Sequence, residues 1–271
     1  EHSTDMEIQP LQPNDLAHIP ALLPPGWDTA LPAIQFYTTS DFCFPIKVSI
    51  DHKIAGTGTA IVHHDVAWLA HIIVHPDHRN KGIGQLITES LVEMAYAKSC
   101  DTLYLLATEL GEPVYRKIGF ETETEYLFFK GEKPIDSAIL DDCIVTYSSA
   151  YEKQIADLDH QVSGEDRMFH LQPHLSSGFV YVVDNIVEGY YLQTMGDGMI
   201  IATTSAAGQA LMRLRLMTKD FAVFPMDNIH AVNFFQQHSY SEIRRQKRMR
   251  LGTKRNWQPE HIYNRIGGNL G

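Results

Sequence analysis

The period of the hydrophobic positions changes repeatedly along the chain, and each change predicts an element. Ala67 to Val74 is apolar and β-branched with one polar residue, His71, and reads as a strand. Pro76 ends it, because proline has no N–H to give a sheet. From Gln85 to Lys98 the apolar residues Leu86, Ile87, Leu91, Met94 and Ala95 recur at helical spacing. The same reading predicts strands over 6–11, 44–51, 54–63, 101–107 and 120–130. It predicts helices from Asn14 or Asp15 through Leu23, over 29–40, and over 112–118 with Gly119 as its cap.

After a polar stretch with a proline, 131–137, the pattern restarts. Strands are predicted over 142–147, 179–183, 186–195, 199–202, 220–224 and 240–251, and helices over 148–160, 164–174, 206–217 and 228–238. Asp184-Asn185 is a hairpin turn signal. The second half repeats the order of the first, which implies an internal duplication. The expected organisation is therefore a domain over 1–131, a second over 138–252, and a tail over 253–271. Trp257, Ile262, Tyr263 and Ile266 make that tail too apolar to stay in water, so it is expected to pack on the domains.

Composition bounds the function. The 271 residues suit two domains of roughly 100–200 residues each. A net charge of −11 argues against a general nucleic-acid binder and suits a cationic, amine-bearing partner. The run Arg244 to Arg250 alternates as a solvated strand does, rather than clustering on a helix face. No apolar run is long enough to span a bilayer, and nothing near the start resembles a secretory signal. Cys43, Cys100 and Cys143 are odd in number and widely spaced, so reduced thiols in a cytoplasmic protein are expected. His71, His75 and His78 lack a carboxylate at ligand spacing, so no metal is expected.

The candidate chemistry lies between the first strand and its helix, at Arg79-Asn80-Lys81-Gly82-Ile83-Gly84. Gly82 and Gly84 can adopt backbone angles other residues avoid and leave room for a close ligand. The amides of the turn and first helical turn point one way, and the helix dipole adds partial positive charge. Arg79 and Lys81 add full charges. Together they suit a pyrophosphate.

This stretch resembles the signature of the GNAT superfamily of acetyl-CoA-dependent acyltransferases. Val74 and Pro76 match its Val-x-Pro strand end, and Arg79, Gly82 and Gly84 match its Arg-x-x-Gly-x-Gly turn. Tyr115-Arg-Lys-Ile-Gly119-Phe120 is similar to its Tyr-x-x-x-Gly-Phe ending. The resemblance implies an α/β (α+β) fold class: two tandem GNAT folds, each a mixed, mostly antiparallel sheet flanked by helices. It implies an acetyl-CoA site in the first domain, formed by Ile73, Val74, His75, Arg79, Asn80, Lys81, Gly82, Ile83, Gly84, Gln85 and Tyr115. The second half resembles GNAT-like C-terminal domains through Leu158-Asp159, Gly164 to Arg167, Gly189-Tyr190 and Asn228-x-x-Ala231-x-x-Phe234. Its counterpart of the glycine turn, Thr203 to Gln209, keeps one glycine and no basic residue, so it is expected to lack the coenzyme site.

The resemblance further implies an N-acetyltransferase moving an acetyl group to a primary amine of a small molecule, by direct attack in a ternary complex. Tyr115 is expected to be the general acid that protonates the departing thiolate. The position that usually holds a glutamate base in the family is Ala70 here. The candidate base is His71, with His63-His64 and Glu165 or Asp166 as alternatives. A monomer or homodimer is expected, with neither nucleic acid nor membrane as partner. The alternative is a non-catalytic acyl-CoA sensor or interaction module.

Overall fold

The computed structural model describes residues 5–135 and 139–271; the first four residues and positions 136–137 of the expected linker lie outside the described residues. In chain order the first elements are β1 (Met6–Pro10), α1 (Ala30–Thr39), β2 (Cys43–Ile50), β3 (Lys53–His63), β4 (Val66–Val74), α2 (Ile83–Ala97), β5 (Thr102–Ala107), α3 (Glu112–Ile118) and β6 (Glu121–Lys130). They are followed by β7 (Ile144–Thr146), α4 (Glu152–Ser163), α5 (Met168–Leu171), β8 (Phe179–Val183), β9 (Ile186–Leu192), β10 (Met199–Ala202), α6 (Ser205–Leu216), β11 (Phe221–Pro225), α7 (Ile229–Gln237), β12 (Ser241–Gly252) and β13 (Ile262–Asn264). Among the described residues no helix is long and apolar enough to cross a membrane.

Two expected helices are absent as such. Residues 13–22 form two 3-10 turns, Pro13–His18 and Pro20–Leu22, because Pro20 removes the N–H that a continuing helix would need. Over 164–174 only α5 is α-helical. Gly164 stands at φ +70° as the cap of α4, and Pro173 falls in the 3-10 turn Gln172–Ser177.

The chain forms two compact units. The first takes the chain up to Thr122 together with Met249–Lys254 and Gly268–Leu270. Its strands run β1-β2-β3-β4-β5, followed by the end of β12. All neighbours among β1 to β4 are antiparallel, whereas β4 and β5 are parallel. Helix α2 covers this sheet with Ile83, Ile87, Leu91 and Ala95, which bury against Val48, Leu69, Leu103 and Leu105. The helix lies close to β3 because β3 carries glycines there. A Cβ on Gly56 would fall 2.7 Å from an Ile87 methyl, and one on Gly58 would fall 2.6 Å from another. The residue that follows β12 is held at the start of β5: Thr253 N–H donates to Asp101 O at 2.8 Å, and Thr102 Oγ1 donates to Thr253 O at 2.8 Å.

The second unit holds Glu123–Arg248, Arg255–Gly267 and Gly271. Strands β12, β6 and β11 lie side by side in that order, and β13-β10-β9-β8-β7 form a second sheet. Its core centres on Phe129, Phe224 and Phe235, stacked with ring centroids 5.4–5.5 Å apart. The Asp184-Asn185 turn has both residues at positive φ, as the hairpin signal requires. Asp159 and Arg167 form a buried bidentate pair (2.9 and 3.0 Å), and Tyr190 adds a 2.7 Å hydrogen bond to Asp159. The motif residues Asp159, Arg167 and Tyr190 thus meet in the interior of this unit.

Candidate active site

In the first unit β4 and β5 pair over three residues and then part. The parallel register runs Val66↔Thr102, Ala67↔Leu103, Trp68↔Tyr104, and no further pair follows. Beyond it β4 continues to Val74 with one edge uncovered. On its other edge His75 N–H donates to Ala55 O at 2.7 Å. Strand alternation therefore turns the Val74 N–H to the open edge.

A bulge precedes this edge. The register against β3 shifts between Thr57 and Thr59, and His71 sits at φ +50°. A bulge adds one residue and re-aims the side chains after it. Ala70 is buried opposite Thr59. His71 faces Tyr37 of α1: its Nδ1 lies 3.0 Å from the Tyr37 hydroxyl, which also accepts from Asn269 Nδ2 at 3.1 Å. Burial lowers the pKa of His71 to about 4 and raises that of Tyr37.

A cavity of about 230 Å³ opens where the strands part. Ile72, Ile73 and Val74 line it from β4; Arg79, Asn80, Gly82, Ile83, Gly84 and Gln85 line it from the turn and the start of α2; Thr108, Gly111, Val114 and Tyr115 line it from the β5–α3 segment. Pro24, Trp27, His78 and Leu110 complete the wall. Gly82 stands at φ +82°, ψ +1° as the cap of α2, and a Cβ added there would meet nothing within 4 Å. The first-turn amides of α2 have no carbonyl partner inside the helix, so they can receive an anion. Arg79 is braced by its Nε, which donates to Val74 O at 3.3 Å.

Tyr115 is buried, its ring edge-on to Phe120 with centroids 6.1 Å apart. Burial pushes its phenol pKa up to about 12. Its ring fills the space over Gly111, where an added Cβ would lie 2.7 Å from a ring carbon and 3.0 Å from the hydroxyl.

The cavity brings together Ile73, Val74, Arg79, Asn80, Gly82, Ile83, Gly84, Gln85 and Tyr115 of the residues expected from sequence. His71, His75 and Lys81 are not in its lining. The His75 ring accepts from Asp77 N–H, and exposed Lys81 donates to Asp77 O at 3.0 Å. His63 and His64 sit at the β3–β4 turn, at the other end of β4, which puts them about 25 Å from the cavity end of that strand. Glu165 and Asp166 belong to the second unit. Ile72, Thr108 and Gly111 line the cavity without having been expected to. A β4 that parts from β5 exposes its own residues beyond the last pair, such as Ile72, and the residues that follow β5, such as Thr108 and Gly111. Among the described residues no group of three or more His, Cys, Asp or Glu side chains is placed to hold a metal ion.

An anion-receptive helix start thus lies beside two parted parallel strands, and comparison with known proteins bears on this arrangement directly. Over 98% of its length the chain shares its fold with a provisionally assigned acetyltransferase from Pyrococcus horikoshii (TM-score 0.80, 20% identity, 96% of that chain covered). A GCN5-related N-acetyltransferase from Sphaerobacter thermophilus superposes over 94% of the chain (TM-score 0.65, 12% identity, 98% of that chain). A tandem GNAT protein from the clavulanic acid biosynthesis pathway does so over 93% (TM-score 0.59, 12% identity, all of that chain). A search of curated protein sequences gave no match. Residues 14–120 match the acetyltransferase (GNAT) family. That match lies within the first unit, and the solved structures share the fold of nearly the whole chain.

Proposed function

We propose that the protein is an N-acetyltransferase that moves an acetyl group from acetyl-CoA to a primary amine of a small molecule, by direct attack while both are bound. The observation that carries this reading is the cavity where β4 and β5 part, with the Gly82 turn at one end and Tyr115 in its wall. The residues fit the coenzyme. Gly82 and Gly84 leave the approach to α2 open, since Gly84 would meet only a Val74 methyl at 3.7 Å. Arg79, the Asn80–Gln85 backbone and the α2 dipole would hold the pyrophosphate. The open edge of β4 would hold the arm, with Val74 N–H as donor to a carbonyl.

Acetyl-CoA supplies an acyl group activated as a thioester. Tyr115, protonated up to about pH 12, is the acid that returns a proton to the thiolate leaving group. His71 is the candidate acceptor of the amine proton: with Nδ1–H donating to the Tyr37 hydroxyl the neutral imidazole keeps its Nε2 lone pair, and a water would carry the proton to it because His71 does not line the cavity. The net charge of −11 favours a cationic acceptor on electrostatic grounds.

The test begins with thermal denaturation in acetyl-CoA. Binding at about 100 times the Kd stabilises by about 2.7 kcal/mol, and millimolar acetyl-CoA that leaves Tm unmoved overturns the proposal. Arg79→Ala combined with Gly82→Asp should abolish the shift. In a panel of polyamines, amino sugars and amino acids, Tyr115→Phe should lower turnover and keep coenzyme affinity. Binding without turnover of any amine would sink the transfer reaction.

A further inference from the structure

We infer that β13 is the built-in occupant of the second unit's coenzyme cleft, so that the protein takes one acyl-CoA per chain, in the first unit. The inference rests on the coenzyme reading of the first unit. In the second unit β10, α6, β11 and α7 repeat the order of β4, α2, β5 and α3. The space between β4 and β5 is open beyond Trp68. The space between β10 and β11 is filled by β13. Residues of β13 pair with β10 antiparallel, Ile200↔Asn264 and Ile201↔Ile262. The same segment is tied to β11: Val223 N–H donates to Asn264 Oδ1 at 2.9 Å, and Arg265 N–H donates to Val223 O at 2.8 Å.

The filling extends to the helix start. Gly208 is the one glycine left in the turn equivalent to Arg79–Gly84, and the Tyr263 ring lies on it. A Cβ there would come within 2.2 Å of the ring. The first turn of α6 already has a partner in Thr204, whose Oγ1 accepts from Ala207 N–H at 3.2 Å. The cap residue of α7, Asn228, donates to Ile262 O at 2.9 Å, and Asn264 Nδ2 donates to Gly198 O at 2.7 Å. Ile262, Tyr263 and Asn264 are 7%, 1% and 1% exposed. A pantetheine arm is an extended chain with two amides that adds to a strand edge, and the β13 backbone supplies the same kind of group to the same kind of edge. An incoming arm would have to displace a paired strand and a buried aromatic ring, with no basic residue from Thr203 to Gln209 to hold its phosphates.

The test is hydrogen exchange read by mass spectrometry on the full chain, with and without millimolar coenzyme A, alongside calorimetric titration. The expected result is exchange across 262–266 as slow as in β10, unchanged by coenzyme A, with one site per chain. The Arg79→Ala, Gly82→Asp variant should then bind none. Two sites per chain, fast exchange at 262–266 in the free protein, or loss of protection there on adding coenzyme A would each overturn the inference. Absence of any coenzyme-induced protection at residues 72–85 would instead overturn the reading of the first unit, with the state of 262–266 still decided by its own exchange.

Discussion

Replacing His71 by asparagine should flatten the acid side of the stability profile. Burial lowers the pKa of His71 from 6.5 to about 4 in the fold, while an imidazole in the unfolded chain titrates near its ordinary value, about 6.5. Between those two values the unfolded chain holds a proton that the folded chain refuses, so stability rises with pH across the window. The stabilising contribution is complete above about pH 6.5 and is lost as pH falls toward 4. A difference of about 2.5 units corresponds to about 3 kcal/mol. At about pH 5.2 the unfolded state carries about 0.9 proton more, a slope of roughly 1.2 kcal/mol per pH unit. Asparagine suits the test because it tolerates the φ of +50° that the bulge imposes and keeps a polar group for Tyr37. Urea unfolding of both proteins between about pH 7.5 and pH 4.5 gives the double difference, which cancels every other titrating group. The variant should gain about 2–3 kcal/mol relative to the parent on acidification. Parallel profiles would refute the reasoning, because they would mean that the folded state protonates His71 as readily as water does.

Gly58→Ala should destabilise by about 1–3 kcal/mol in denaturant unfolding, since its Cβ would fall 2.6 Å from Ile87 and α2 cannot retreat without opening the core. Gly111→Ala should cost about 1–3 kcal/mol, because φ −83° and ψ −28° accept alanine but the added Cβ, 2.7 Å from a ring carbon, pushes the buried Tyr115 ring aside. Steady-state kinetics with any amine that turns over should then report a loss in kcat on the order of 10- to 100-fold with coenzyme affinity kept. Asp159→Asn leaves the Arg167 charge buried without its carboxylate and should cost about 3–5 kcal/mol by urea melt.

The strand, glycine turn and helix from Val66 to Ala97 were legible from local pattern, because alternation, a proline stop and helical spacing are written in consecutive residues. The Gly119 cap and the Asp184-Asn185 turn were legible for the same reason. What stayed hidden depends on partners far along the chain. The bulge at His71 exists only in the register between β3 and β4, and no residue near 71 announces it. Strand β13 is three residues long, and its place comes from β10 and β11, some forty to sixty residues earlier. Within the site the turn residues were readable as an anion cradle, whereas Gly111 owes its part to the Tyr115 ring packed on it. Sequence spacing put His75 and Lys81 beside the turn, but it could not reveal that both are turned onto Asp77.

The segment Met249–Lys254 in the first unit has a consequence for how that unit comes into being. The edge of β5 receives its last strand from residues about 150 positions later, as the bond between Thr102 and Thr253 records. During synthesis the apolar run Leu103–Ala107 therefore waits, with an unpaired edge, until the residues about 150 positions later have been made. Such a long closure is slow to form and leaves a strand edge open to wrong partners in the meantime. The order of assembly thus runs against the order of translation: the unit synthesised first cannot close before a segment that is made after most of the second unit.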